Sequence, residues 1–321
     1  MKISNERRIA IISKGAQLRQ LLARKKPIVA PGVYDPLGLK IVETLGFEVG
    51  YMGGWATGAH LMSTEPALTM TEQVDCARRA AKAVNIPLIV DGDAGFGDVI
   101  HTMRAVREFE DAGLAAIHIE DQVFPKRARY HANVLYILPL RDMIDKIKGA
   151  ISARRDKDFL IIVRTDARGA VGGSLDEAIR RGTAFVDAGA DVIMPNKIRE
   201  PFIPPGTIRA EGKKFAEALS GIPLLWVDVW SGLSVEEIWD LGYQIIIYPL
   251  VGVVAAAKAV MDVYGDLKRF NTMKIDLSEF AKMQTKVQSI MGLPEYYAIE
   301  ERLEKEEKER RDENEKSVGR R

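Results

Sequence analysis

Residues 88–98 read LIVDGDAGFGD. Three apolar residues run straight into Asp91-Gly92-Asp93, and further glycines stand at 95 and 97 before Asp98. A short run that is apolar on both faces suits a parallel strand covered by helices on both sides. The glycines permit a tight turn at its end, and Asp98 is placed to cap the helical pattern that starts at 99. Outward from this stretch the same unit recurs. Upstream, TEQVDCARRAAKAV (71–84) has helical spacing; downstream, the 99–112 pattern stops at Gly113 before another apolar run, AAIHIED (115–121).

Strands are expected at 27–32, 49–54, 87–92, 115–121, 159–166, 191–196, 223–229 and 244–250. Helices are expected between them at 35–45, 71–84, 99–112, 140–154, 175–188, 207–219, 234–241 and 251–264, with Gly46, Gly113, Gly189 and Gly242 as C-terminal stops. This alternation is the count of an α/β fold of the TIM-barrel type, (β/α)8, over about 27–265. A doubly wound open sheet competes, but the first strand is followed by PGVYDPLG (31–38), not by G-x-G-x-x-G. An N-terminal helix is expected at 5–25 and a C-terminal helical extension at 266–321, so residues 1–321 are read as a single barrel domain with appended helices. The charge run from Glu304 reads as a solvated or frayed tail.

The chain has 321 residues, 47% of them hydrophobic, and a formal net charge of +1, which implies no polyanionic partner such as nucleic acid. The single cysteine, Cys76, excludes an intramolecular disulfide and fits a reducing compartment. Lying in a helical pattern, it reads as a structural thiol. No apolar run reaches the roughly 18 residues of a membrane helix, and the start of the chain has no signal-peptide core. A soluble, cytoplasmic protein with no membrane partner is expected.

A barrel of this kind does its chemistry at the C-terminal strand ends. There the sequence places Tyr34 and Asp35; Gly53, Gly54 and Trp55; Asp91 and Asp93; His118, Glu120 and Asp121; Arg164 and Asp166; Asn196 and Lys197; Asp228; and Tyr248. Alternate strand residues share a face, so Asp91 and Asp93 point the same way, with Glu120 beside them on the next strand. Three converging carboxylates repel unless a cation lies among them. Oxygen ligands alone suit Mg2+ or Mn2+. The competing reading makes Asp91 and Asp93 turn residues. Arg164, after the apolar LIIV, needs an anion: Asp166, Glu120, or a substrate carboxylate or phosphonate. The segment VFPKRARYH (123–131) reads as an active-site loop, in which Lys126, Arg127 and Arg129 would neutralise an acidic substrate and Tyr130 or His131 would move protons. His118 is more simply a hydrogen-bonded barrel residue.

The segments PGVYDPL, GYMGGW, DGDAGFGD, HIEDQVFPKR, VRTDA, GADVIMP and LGYQIIIYPL, within residues 15–300, resemble the isocitrate lyase/phosphoenolpyruvate mutase superfamily. The tail GLPEYYAIEER (292–302) resembles the branch around 2-methylisocitrate lyase and carboxyphosphonoenolpyruvate mutase. The resemblance implies a Mg2+-dependent barrel, a homo-oligomer built as a dimer of dimers with a swapped terminal helix, and small 2-oxo or 2-hydroxy acid substrates. By position it implies metal binding by Asp91, with Asp93 and Glu120 direct or through water. Arg164 would bind substrate, Tyr34, Asp35, Trp55 and Asn196 would line the site, Gly53 and Gly54 would offer N–H groups to a carboxylate, and Lys126 would be the gating-loop lysine. The sequence also departs from the pattern. Ala128 stands where lyases of this group carry a cysteine, Gly53 where they carry serine, Asn196 where they carry glutamate and Val227 where they carry asparagine. The expected activity is carbon–carbon lysis of a branched 2-hydroxy di- or tricarboxylic acid. Phosphonomutase, phosphonopyruvate hydrolase or 2-oxo acid decarboxylase chemistry, or non-catalytic 2-oxo acid binding, stand as alternatives.

Overall fold

The computed structural model describes residues 12–132, 134–196, 205–229 and 231–318; Lys197 and the first part of the expected N-terminal helix lie outside them. Eight parallel strands, β1 (Ile28–Val33), β2 (Gly50–Met52), β3 (Leu88–Asp91), β4 (Ala116–Glu120), β5 (Leu160–Thr165), β6 (Val192–Pro195), β7 (Leu225–Val227) and β8 (Ile245–Tyr248), form one sheet in the order β6-β5-β4-β3-β2-β1-β8-β7. An isolated parallel bridge between Ile193 and Leu224 joins its two edges, so the sheet is a nearly closed (β/α)8 barrel. Each strand lies inside its expected run or one residue beyond it.

The helices are α1 (Lys14–Ala23), α2 (Pro36–Thr44), α3 (Gly54–His60), α4 (Met70–Lys82), α5 (Val99–Asp111), α6 (Leu140–Ala153), α7 (Leu175–Asp187), α8 (Pro205–Ala218), α9 (Val235–Asp240), α10 (Val251–Phe270), α11 (Leu277–Ile290) and α12 (Leu293–Val318). Helix α3 was not anticipated, since its GWATGAH is too short and small-sided to show a period. The stop signals hold: Gly46, Gly113, Gly189 and Gly242 have φ of 88°, 81°, 106° and 106°, the left-handed conformation glycine adopts most readily. Asp98 accepts from the His101 N–H at 3.1 Å and caps α5.

The chain forms two compact units, Met1–Ala257 and Lys258–Arg321, dividing inside α10 ahead of the boundary expected at 266. In the first unit the strands alternate. Their outward residues pack under the helices with Phe109, Phe159, Phe185 and Phe215. Their inward residues, among them Ile28, Tyr51, Ile89, Leu160, Ile162, Leu225 and Ile245, fill the barrel, and Leu18 of α1 belongs to the same cluster. Each such side chain contributes about 1.5–3 kcal/mol by leaving water. The same alternation turns Asp91, His118, Glu120 and Arg164 inward at the opposite end, where Asp91 pairs in register with His118 and Glu120 with Arg164.

In the second unit the charged run is solvated, its residues 304–314 all exposed. It continues as helix α12 to Val318, with Glu and Arg one turn apart (Arg302–Glu306, Glu307–Arg311) supporting an exposed helix. Among the described residues, no helix is long and apolar enough to cross a membrane.

Candidate active site at the C-terminal end of the barrel

The turn after β3 builds the acidic side of the site. Asp91 Oδ1 accepts from the Asp93 N–H at 2.8 Å, and Oδ2 from the Gly54 N–H at 3.0 Å. Asp93 has φ 49°, with its Oδ1 held by the Ala94 N–H at 2.5 Å. The fit at Gly54 is close: a Cβ there would lie 3.2 Å from both Asp91 Oδ2 and Glu65 Cγ, so a side chain would press on both acids. Glu65, in a short 3-10 turn (Glu65–Ala67), is buried in this cluster and was not foreseen. Before Pro66 it reads as an ordinary helix-start acid, and only the tertiary fold brings it to β3.

Lys126, expected on a loop facing substrate, reaches into this acid cluster. Its side chain is fully buried, and Nζ lies 2.6 Å from Glu65 Oε1, 2.8 Å from Glu120 Oε1 and 3.2 Å from Asp93 Oδ2. Burial opposes its charge, but Glu120, Glu65 and Asp93 hold the ammonium protonated far above its ordinary range. Burial likewise disfavours the Asp91 carboxylate, yet His118, Lys126, Arg164 and the Gly54 N–H hold it at about 2. Burial lowers the His118 imidazole, so at neutral pH Asp91 is kept ionised chiefly by Lys126, Arg164 and Gly54. Glu120 goes the other way: burial pushes it up to about 8 against the pull of Arg164 and Lys126. Asp166 and Asp93 add to the rise, and neither Glu120 oxygen receives a well-aligned hydrogen bond. Burial also raises Asp93.

Among the described residues no three carboxylate or imidazole groups are drawn to one metal-ligand distance; the Lys126 ammonium sits between them. The donor set nonetheless fits a hard divalent cation. It is made of oxygen only, is buried, and in Glu120 contains two oxygens with unmet hydrogen-bonding capacity. Asp91, Asp93 and Glu120 are the residues that would hold such an ion.

The other side of the site is built on Arg164. Its guanidinium forks onto Asp166 (Nε–Oδ2 3.0 Å, Nη2–Oδ1 3.0 Å), meets Glu120 Oε2 at 2.8 Å and donates to Tyr130 Oη at 3.1 Å. Both structural partners anticipated from sequence are therefore present together. Asp166 is fixed in turn by Asn196 Nδ2 at 2.6 Å and Gln122 Nε2 at 3.1 Å. Asn196 thus serves Asp166 here. Tyr130 lies against two cations, with Lys126 Nζ 5.1 Å and Arg164 Cζ 5.9 Å from its ring centre. Burial raises its phenol well above the ordinary range, so it stays protonated. Beside it, Gln122, Val123, Arg127, Val134, Leu135 and Tyr136 line a cavity of about 270 Å³.

The remaining expected site residues make contacts of their own. Asp35 caps α2 through the Gly38 N–H at 2.6 Å. Tyr34 is partly buried, its ring 5.5 Å from that of His60. Trp55 is 39% exposed. Gly53 caps α3 without a side chain, and the Gly54 N–H already serves Asp91. His131 is exposed, its ring centre 5.0 Å from that of Tyr130. His118 Nε2 pairs with Tyr51 Oη at 2.8 Å inside the barrel.

Comparison with known proteins bears on this arrangement. The phosphoenolpyruvate phosphomutase family matches residues 18–268. The chain is 39% identical over 267 residues to a 2,3-dimethylmalate lyase of Eubacterium barkeri, covering 81% of this chain and 88% of that one. It is 36% identical over 287 residues to a 2-methylisocitrate lyase of Aeropyrum pernix, covering 88% of each. A crystal structure of phosphonopyruvate hydrolase with oxalate and Mg2+ is similar at a TM-score of 0.75 and 28% identity, over 87% of this chain and 97% of that one.

Proposed function

The chain belongs to the phosphoenolpyruvate mutase/isocitrate lyase superfamily, and from that premise we propose that it is a divalent-metal-dependent carbon–carbon lyase acting on a 2,3-dialkylmalate. The observation that carries the reading is the buried meeting of Asp91, Asp93 and Glu120 with Lys126 and Arg164 at the barrel's C-terminal end. The substrate class follows the 2,3-dimethylmalate lyase relative. The cavity beside Tyr130, with Val123, Val134 and Leu135, offers space for alkyl branches.

In this reaction the C2–C3 bond breaks. The C2 hydroxyl loses its proton, C2 becomes the ketone of a 2-oxo acid, and the electron pair passes to C3, where a proton must be supplied. A Mg2+ or Mn2+ ion held by Asp91, Asp93 and Glu120 would supply Lewis-acid stabilisation of the oxygen that gains charge. Arg164, buried and permanently charged, adds to that stabilisation and anchors a carboxylate. Once a cation has displaced its proton, Glu120 would be the buried carboxylate placed to receive the hydroxyl proton. With alanine at 128, Tyr130 is the acid for C3: its phenol is protonated and sits on Arg164. Exposed His131 is the weaker choice.

The test is a panel of branched malates and isocitrates with a 2-oxo acid readout. Cleavage of phosphonopyruvate is the second reading, favoured by the structural likeness to phosphonopyruvate hydrolase, and release of phosphate would establish it. Stabilisation by Mg2+ and oxalate without turnover of any acid would favour a binding protein instead. We also read the protein as a homo-oligomer, because the 258–321 unit exposes Met261, Tyr264, Leu277, Phe280, Met283 and Met291, an apolar surface of the kind that subunits cover.

A further inference from the structure

Lys146, on α6, is 4% exposed and plays no part in the mechanism above. Among the described residues no carboxylate lies within ion-pair distance of it; its ammonium donates instead to the backbone carbonyl of Ala94. A buried lysine without a carboxylate partner costs stability, so its placement calls for a reason.

Ala94 belongs to the turn that carries Asp93. Asp93, Gly95, Phe96 and Gly97 have φ of 49°, 78°, 56° and 151°. Asp93 and Phe96 are thus held in a conformation that residues with a side chain seldom adopt, and such a conformation persists only where the surroundings over-determine it. Several bonds come from near at hand: Asp93 N–H to Asp91 Oδ1, Ala94 N–H to Asp93 Oδ1, Gly95 N–H to the Gly92 carbonyl at 2.9 Å, and Glu120 N–H to the Asp93 carbonyl at 3.0 Å. Lys146 reaches the turn from a different helix. One turn along α6, Gly149 permits this approach, since a Cβ there would lie 2.6 Å from Val99 Cγ1 of α5. Burial lowers the Lys146 ammonium, and the field of Asp93 and Glu120 opposes that, so the lysine also lies within the electrostatic reach of the cluster.

We propose that Lys146 is a positioning residue: by clamping the Ala94 carbonyl it holds the 91–97 turn in the left-handed form that aims Asp93 into the acid cluster. It acts through Asp93 and touches no substrate. The inference rests on the proposed function only for its activity readout.

Metal-free wild type, Lys146→Met and Lys146→Arg are compared by hydrogen–deuterium exchange over residues 92–97. Without the clamp, exchange there rises about tenfold in Lys146→Met, while Lys146→Arg, which keeps the charged donor, stays near wild type. In turnover, Lys146→Met loses about tenfold or more in kcat with KM within about threefold, as loss of a supporting contact does. Unchanged exchange in a folded Lys146→Met overturns the proposal. So does a Lys146→Met that fails to fold while Lys146→Arg folds, because the lysine is then structural. If wild type releases no 2-oxo acid from any substrate tried, the reading of the reaction fails while the exchange result still decides the clamp.

Discussion

The two ends of one barrel are made from the same inward-facing positions and hold opposite chemistry. On β3, β4 and β5 the N-terminal halves contribute Ile89, Ala116, Leu160 and Ile162, and the C-terminal ends contribute Asp91, Glu120 and Arg164, all nearly as deeply buried. At the first end burial itself stabilises the fold. At the second it works against every ionised group present, and the charges are tolerated because they meet one another. A fold keeps such a costly cluster for what it does. The apolar end should therefore govern stability and the charged end activity.

The strongest way to break that division is Asp91→Ala. If Asp91 holds the proposed cation, its loss removes several kcal/mol of transition-state stabilisation and should cut kcat/KM by about 10³-fold or more, measured on folded protein. Retained activity would remove Asp91 from the chemistry. At the other end, Ile162→Ala should cost about 2–5 kcal/mol in denaturant unfolding, with kcat per folded molecule unchanged. A loss of kcat there would show that the two ends are not separable.

Much of this division was legible beforehand. Strand runs such as LIIVRT and the glycine stops carry local signals, and a period of two places Asp91, Glu120 and Arg164 on one inner face. Glu65 was not legible, because it reaches the cluster through a turn that no periodicity marks. The burial of Lys126 was hidden too, since FPKRAR reads as an active-site loop whose basic residues meet a substrate, while the carboxylates that draw the lysine inward come from the ends of β3 and β4 and the 65–67 turn. Asp35 shows a local signal at work: the Asp-Pro pair that starts α2 also marks it as a helix cap, which it is.

Smaller effects sharpen the picture at the charged end. If Tyr130 gives the proton to C3, Tyr130→Phe lowers kcat by about 10²-fold, whereas His131→Ala, at an exposed position, leaves kcat within about twofold. Equal losses in both variants would move the acid role off Tyr130. The pH dependence of stability is a further check. With Glu120 raised from its ordinary 4.5 to about 8, the folded state binds a proton that the unfolded chain has released across that window. The contribution is complete below pH 4.5 and is lost as pH rises towards 8. Metal-free protein should therefore show a falling Tm over this range from this group, and saturating Mg2+, by replacing the proton, should flatten the fall. A slope unaffected by Mg2+ would mean that the ion does not reach Glu120.

The most direct test of the whole account is 2-oxo acid release from 2,3-dimethylmalate before and after chelation. The account predicts pyruvate formation that EDTA abolishes and added Mg2+ or Mn2+ restores. Pyruvate formation indifferent to chelation, or none from any branched 2-hydroxy acid at saturating Mg2+, would contradict it.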